Sequence, residues 1–253
     1  MDIEIISCLN DNYSYLIKDD QTNTIAIVDP SEFGPCEEKI NQKYKKLDFI
    51  LNTHHHFDHV GGNVELKKKY GSKILGFEKD EKRIPEIDIL LKDGQKLKIG
   101  NVIFKTIFVP GHTSGHIAFH FEKEKLIFTG DTLFSLGCGR VFEGTYLQMF
   151  NSLNKIKSLP EDTKIFCGHE YTKSNLEFCL KFNPNNNYLL DKKKEIEARI
   201  KDKKPTIPST IRDEIQTNIF LRYDDLDVKS TLNLINASDL EIFTKLRDLK
   251  DNF

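Results

Sequence analysis

Residues 3 to 8 alternate weakly between apolar and polar positions and run into the turn cluster Asn10-Asp11-Asn12, so the chain is expected to open on a strand. Two β-rich runs, Tyr13-Ser14-Tyr15-Leu16-Ile17 and Ile25-Ala26-Ile27-Val28, flank the polar turn Asp19 to Asn23, and Asp29-Pro30 stops the second. The pattern then predicts a helix over 35–46, a strand over 47–51, a helix from Val64 to Tyr70 with Gly71 as its C-cap, and a strand over 73–77. After an irregular stretch come four strand-like runs, 95–99, 102–109, 117–121 and 125–129, joined by short Gly, Asp or Lys/Glu turns. Strands dominate, but helices interrupt them. That predicts layered sheets covered by helices rather than a closed β-barrel.

From about residue 147 the pattern changes. Leu147, Phe150, Leu153 and Ile156 share one helix face, and Thr163 to Cys167 is the last strand expected. Beyond Thr172 only helical patterns remain, broken near Pro184, at Pro205 to Pro208 and at Tyr223 to Asp227, and the last helix opens on the capping box Ser238-x-x-Glu241. A boundary just after Tyr171 therefore divides the chain into 1–171 and 172–253.

Composition narrows the function classes. The 253 residues are 38% hydrophobic and 30% charged, which fits a soluble globular chain with a sizeable core. A net charge of -2 gives no overall field favouring nucleic acid or an anionic membrane, and no run approaches a membrane span. The acidic, strand-like N-terminus reads as neither a signal nor a transit peptide. Cys8, Cys36, Cys138, Cys167 and Cys179 are odd in number and widely spaced, so a cytoplasmic, reducing setting without disulfides is expected.

The chemistry concentrates in Thr53-His54-His55-His56-Phe57-Asp58-His59, directly after the run Leu47 to Leu51. Imidazoles and carboxylates at the mouth of a strand suit a borderline cation such as Zn²⁺, and Fe or Mn are accepted by the same donors. Three later strand ends repeat the arrangement: Gly111-His112 with His116, Gly130-Asp131, and Gly168-His169. Taken singly, a histidine after a strand is most simply structural and an aspartate a turn former. Together they supply enough donors for two cations, which when roughly 3.5–4 Å apart share a carboxylate. Asp131 is the natural bridge.

Thr53-His54-x-His56-x-Asp58-His59, followed in order by His112, Asp131 and His169, resembles the signature of the metallo-β-lactamase superfamily. Finer motifs resemble the glyoxalase II (hydroxyacylglutathione hydrolase) family: Asp11-Asn12-Tyr13, Val28-Asp29-Pro30, Gly111 to His116, Gly130 to Phe134, Gly137-Cys138-Gly139-Arg140, Cys167 to Thr172, and Arg247-x-x-Lys250-Asp251. The resemblance implies an α+β chain, an αββα sandwich followed by a small all-α domain, with a catalytic domain at 1–171 and a substrate-binding one at 172–253. It implies two divalent ions, one on His54, His56 and His112, the other on Asp58, His59 and His169, bridged by Asp131. His55 is implied to turn away and His116 to stand behind the ligands, while Phe57 stands at a site commonly aromatic or small in relatives, where packing is the simplest expectation. The substrate implied is a glutathione thioester, S-D-lactoylglutathione, hydrolysed to D-lactate and glutathione in methylglyoxal detoxification.

The same resemblance gives the roles. The two ions bring the pKa of a bridging water toward neutrality, Asp58 accepts a hydrogen bond from it, and Asp58 and Asp131 are the catalytic carboxylates. The thiolate leaves without a dedicated acid, since its parent thiol has a pKa of about 8.5. Arg140, Tyr171, Arg247 and Lys250 are implied to hold glutathione, and substituting Arg247 is expected to raise KM more than it changes kcat. Phe142 stands where relatives often carry tyrosine, and Ile219 where they carry proline. A monomer or weak homo-oligomer is expected, with no nucleic-acid or membrane partner. The metal motifs alone leave open a lactonase, a β-lactamase, an RNA-processing nuclease, a persulfide dioxygenase, or a metal-stabilised binding protein without activity.

Overall fold

The computed structural model describes residues 1–253 and falls into two compact units, Met1–Phe108 with Thr113–Gly130, and Val109–His112 with Asp131–Phe253. The first unit holds β1 (Asp2–Cys8), β2 (Asn12–Lys18), β3 (Ile25–Val28), α1 (Phe33–Lys43), β4 (Phe49–Leu51), α2 (Phe57–Val60), α3 (Asn63–Tyr70), β5 (Lys73–Phe77), β6 (Ile89–Leu91), β7 (Lys96–Ile99), β8 (Val102–Phe108), β9 (Ile117–Phe121) and β10 (Leu126–Gly130). β1 to β6 form one sheet in chain order, antiparallel through β3 and parallel from β3 to β6. The half-exposed β1 is its edge, while β3 is buried throughout, as a parallel-paired strand covered on both faces must be. Cys36 and Ile40 of α1 and Leu66 of α3 pack on Ile25, Ile27, Ile50 and Ile74.

The antiparallel strands β7 to β10 make a second layer. Aromatic side chains join the layers. Tyr15 on β2 lies 5.1 Å from Phe128 on β10, and Phe77 on β5 stacks on Phe108 of β8 at 4.8 Å. Such pairs add about 0.5–1.5 kcal/mol each beyond the area they bury.

The second unit contains the hairpin β11 (Leu133–Phe134) and β12 (Gly137–Cys138), α4 (Tyr146–Lys157), β13 (Lys164–Cys167), α5 (Thr172–Phe182), α6 (Asn187–Lys201), β14 (Ser209–Thr210), α7 (Ile211–Thr217), α8 (Leu226–Thr231) and α9 (Asp239–Asp251). Phe178, Phe220 and Phe243 anchor its core. α9 opens on the expected capping box, and α4 opens on a second one made by Thr145 and Gln148. No helix is long and apolar enough to cross a membrane.

Three departures from the pattern are local. β6 lies in the stretch read as irregular, and its three residues are too few to show a period. The β11–β12 hairpin is equally short. The tail read as wholly helical contains β14, which pairs with β13. In the second compact unit, which takes in Val109–His112 and Asp131–Phe253, α4 packs against α7 and α9.

Candidate metal centre

In the first unit the tract follows β4 and enters α2, whose four residues are Phe57 to Val60. His54 and His59 are fully buried, and Asp29, His54 and His59 bring their donor atoms within 4.8 Å of one another. Asp29, expected only to stop β3, has a left-handed backbone (φ 49°) that turns its carboxylate back under the tract. There it accepts from Thr53 N at 2.8 Å and Thr53 Oγ1 at 2.6 Å, and meets His59 Nδ1 at 3.0 Å. A carboxylate on one imidazole nitrogen leaves the other ring nitrogen, Nε2, as the donor face toward a cation and fixes the ring.

Asp58 is oriented from β2. Asn12 Nδ2 donates to its backbone oxygen at 3.0 Å and to its Oδ2 at 2.9 Å. Neither role of Asn12 or Asp29 is legible locally, since the bonds join residues 46 and 30 apart. His56 lies 4.7 Å from His54, ring to ring. His116 stacks behind His54 at 4.6 Å, fully buried, and the ring of His55 turns to Asp80. Phe57 corrects an expectation: it does not pack, being 79% exposed. As the first residue of a single helical turn it has no layer beneath it.

In the second unit three strand ends converge on one carboxylate. His112 Nε2 lies 3.4 Å and His169 Nε2 3.2 Å from Asp131 Oδ2, and all three residues are about 5% exposed. His112 Nδ1 meets the carbonyl oxygen of Arg140 at 2.9 Å, which again leaves Nε2 toward the carboxylate. Gly130 precedes Asp131 at φ 47°, and a Cβ there would lie 2.4 Å from Thr53 Oγ1, so the turn admits only glycine. Buried imidazole Nε2 atoms gathered on carboxylates are a donor set that fits a divalent cation.

The residues implied to bind substrate also lie in the second unit. Tyr171 stacks on His169 at 4.7 Å, nearly parallel, and Phe142, 62% exposed, stands 5.2 Å from His112. Arg247 is only 3% exposed. Its Nε and Nη2 reach Asp251 Oδ1 at 3.1 and 2.8 Å, and its Nη1 donates to Cys138 O at 2.8 Å. Arg140 Nε is 3.5 Å from the same Asp251 oxygen. Lys250 donates to Ser174 O and Oγ at 3.0 and 2.9 Å, and burial, with Arg247 beside it, lowers its pKa to about 8. Both α9 cations implied to hold glutathione are thus partly interior, with protein partners of their own. Burial pushes Cys167 and Cys179 up to about 12, and raises Cys138, so none supplies a thiolate near neutrality.

Residues 10–169 match the model of the metallo-beta-lactamase superfamily, and residues 170–253 match that of the hydroxyacylglutathione hydrolase C-terminus. A protein of Pelagibacter ubique named hydroxyacylglutathione hydrolase is 53% identical over 253 residues, covering the whole of both chains. Among solved structures, ETHE1 from Myxococcus xanthus superposes with a TM-score of 0.70 at 20% identity, covering 98% of this chain and 90% of that one. TTHA1623, solved in a di-iron-bound form, gives a TM-score of 0.56 at 25% identity over 67% of this chain and 92% of that one. The fold is therefore the metallo-β-lactamase fold with a C-terminal helical region.

Proposed function

We propose, because this chain belongs to the hydroxyacylglutathione hydrolase family of the metallo-beta-lactamase superfamily, that it is a metal-dependent thiolester hydrolase that cleaves 2-hydroxyacylglutathiones, S-D-lactoylglutathione first among them. The observation that carries the chemistry is the pair of Nε2 atoms on Asp131 Oδ2. The substrate class rests on the family match over 170–253, which contains Tyr171, Arg247 and Lys250. We assign His54, His56 and His112 to one divalent ion, Asp58, His59 and His169 to a second, and Asp131 to both. The di-iron form of TTHA1623 supports two ions, and the nitrogen-rich donor set favours zinc.

Bound there, the ions supply Lewis acidity and a water ionised near neutral pH. The protein's own part is orientation and proton handling. Asn12 holds the Asp58 carboxylate, which accepts a hydrogen bond from the attacking water. Asp29 locks the His59 ring in one tautomer. Water adds to the thioester carbonyl, the C–S bond breaks, and glutathione leaves as its thiolate while the acyl group becomes the hydroxy acid. Arg140 and Lys250 provide cations for the two glutathione carboxylates, Arg247 sets the position of Asp251 beside Arg140, and Tyr171 lies along the peptide.

The functional division is kept at 1–171 and 172–253, a reading supported by family models that meet between 169 and 170. Five buried cysteines, none in a disulfide, support a reducing cytoplasmic setting, and the working form is a monomer or weak homo-oligomer. The test is to mix purified protein with S-D-lactoylglutathione, follow loss of thioester absorbance, and measure metal on the same sample. Two ions per chain with steady turnover is the expected result. Full metal loading without turnover would overturn the assignment.

A further inference from the structure

His55 sits inside the ligand tract, and its neighbours His54 and His56 are both assigned to a metal ion, so something must keep a third imidazole from competing. We propose that Asp80 is a positioning residue for the metal tract, holding His55 out of the centre and tying the tract to the turn at Ser114 and Gly115. The inference deepens the metal-hydrolase reading and rests on it.

Asp80 is fully buried in the turn after β5, outside every motif of the tract. Its Oδ2 lies 3.4 Å from His55 Nδ1, and its Oδ1 accepts from Arg83 Nε at 3.0 Å and from Arg83 Nη2. Arg83 in turn brings Nη1 to 3.4 Å from His55 Nε2 and donates from Nη2 to Ser114 Oγ at 2.9 Å. A guanidinium only donates, so His55 Nε2 is the acceptor and the ring proton sits on Nδ1, on the side of the carboxylate and in electrostatic contact with it rather than hydrogen-bonded to it. In that tautomer the one lone pair with which His55 could bind a cation is directed at Arg83. The carboxylate also fills the space beside Gly115, where a Cβ would lie 2.0 Å from Asp80 Oδ1. One buried side chain thus meets the residue between two assigned ligands and the turn that leads to His116, whose ring stacks on His54 at 4.6 Å.

The experiment compares the parent with Asp80→Ala, Asp80→Asn and Arg83→Met, measuring zinc affinity by chelator competition, the absorption spectrum of the cobalt-loaded protein, and kcat and KM. Asp80→Ala is expected to lower zinc affinity by about 10–100-fold, as loss of an outer orienting carboxylate does elsewhere, with a shifted cobalt spectrum, a lower kcat and a KM near the parent's. Asp80→Asn keeps the side chain's shape and an oxygen to accept from Arg83, and should recover most of the affinity. Should Asp80→Ala fail to fold, Arg83→Met carries the test: it frees His55 Nε2 and should shift the cobalt spectrum. Parent-like zinc affinity and an unchanged spectrum in a folded Asp80→Ala or Arg83→Met overturn the proposal. A parent that itself binds no metal overturns the hydrolase reading instead.

Discussion

The two compact units each carry part of the ligand set, and they orient it by different means. In the first, four assigned ligands come from six consecutive positions, His54 to His59, and side chains distant in sequence aim them: Asp29 for His59, Asn12 for Asp58. In the second, the ligands stand at three separate strand ends, and His112 is aimed by the main chain, through the Arg140 carbonyl. A side-chain partner is erased by one substitution. A carbonyl partner is erased only by moving the loop. The first half should therefore be fragile to point mutation outside its ligands, and the second robust except at Asp131 itself.

The largest effect is expected at Asp131→Ala, which removes the one carboxylate that both second-unit imidazoles approach. Turnover should be lost by more than the roughly 100-fold typical of outer partners, with metal content reduced. A metal analysis showing full loading would break the comparison at its strongest point. Next is a paired measurement. Asp29→Ala should weaken zinc binding by about 10–100-fold, whereas Arg140→Ala, whose carbonyl survives truncation, should leave zinc binding unchanged and raise KM for the anionic substrate. Equal losses of zinc in the two variants would contradict the distinction between side-chain and main-chain orientation.

A smaller effect tests how the second unit's main chain is held. Glu214 is fully buried, accepts from Leu136 N at 2.8 Å in the β11–β12 turn, and has its pKa raised to about 7 by burial. The folded chain therefore keeps a proton that the unfolded chain has released between about 4.5 and about 7. Stability should fall as pH rises through that window, by at most about 1.4 kcal/mol per pH unit from this group, and level off above it. Denaturant melts of Glu214→Gln should lack that slope, and an unchanged pH profile would remove Glu214 as its source. The smallest effect is at Ser238→Ala, which deletes the α9 cap and should cost about 1 kcal/mol while metal content stays at the parent's level. A loss of metal there would show that the centre depends on the whole helical region.

Much of this was legible before any coordinates. The strands over 73–77 and 117–121 fall at the positions the pattern predicts, and the α9 capping box forms from the residues that announce it. The misses have separate physical causes. Two-residue strands such as β11, β12 and β14 carry no measurable period, so only their pairing defines them. Packing is the simplest expectation for a phenyl ring such as Phe57, but a single turn of helix at a loop leaves it 79% exposed. Arg247 and Lys250 have the spacing of a surface pair, yet packing of α9 buries the guanidinium against Asp251 and the Cys138 carbonyl.

By itself, the sequence determined which residues are donors and that glycines lead to the later ones, because metal chemistry needs particular side chains and tight turns need particular backbones. Tertiary structure alone decided which way those donors face. Asp29, Asn12 and Asp80 act across 30, 46 and 25 positions of chain, respectively, on His59, Asp58 and His55. An orienting contact depends on where two distant segments meet, and no local pattern of residues records that meeting.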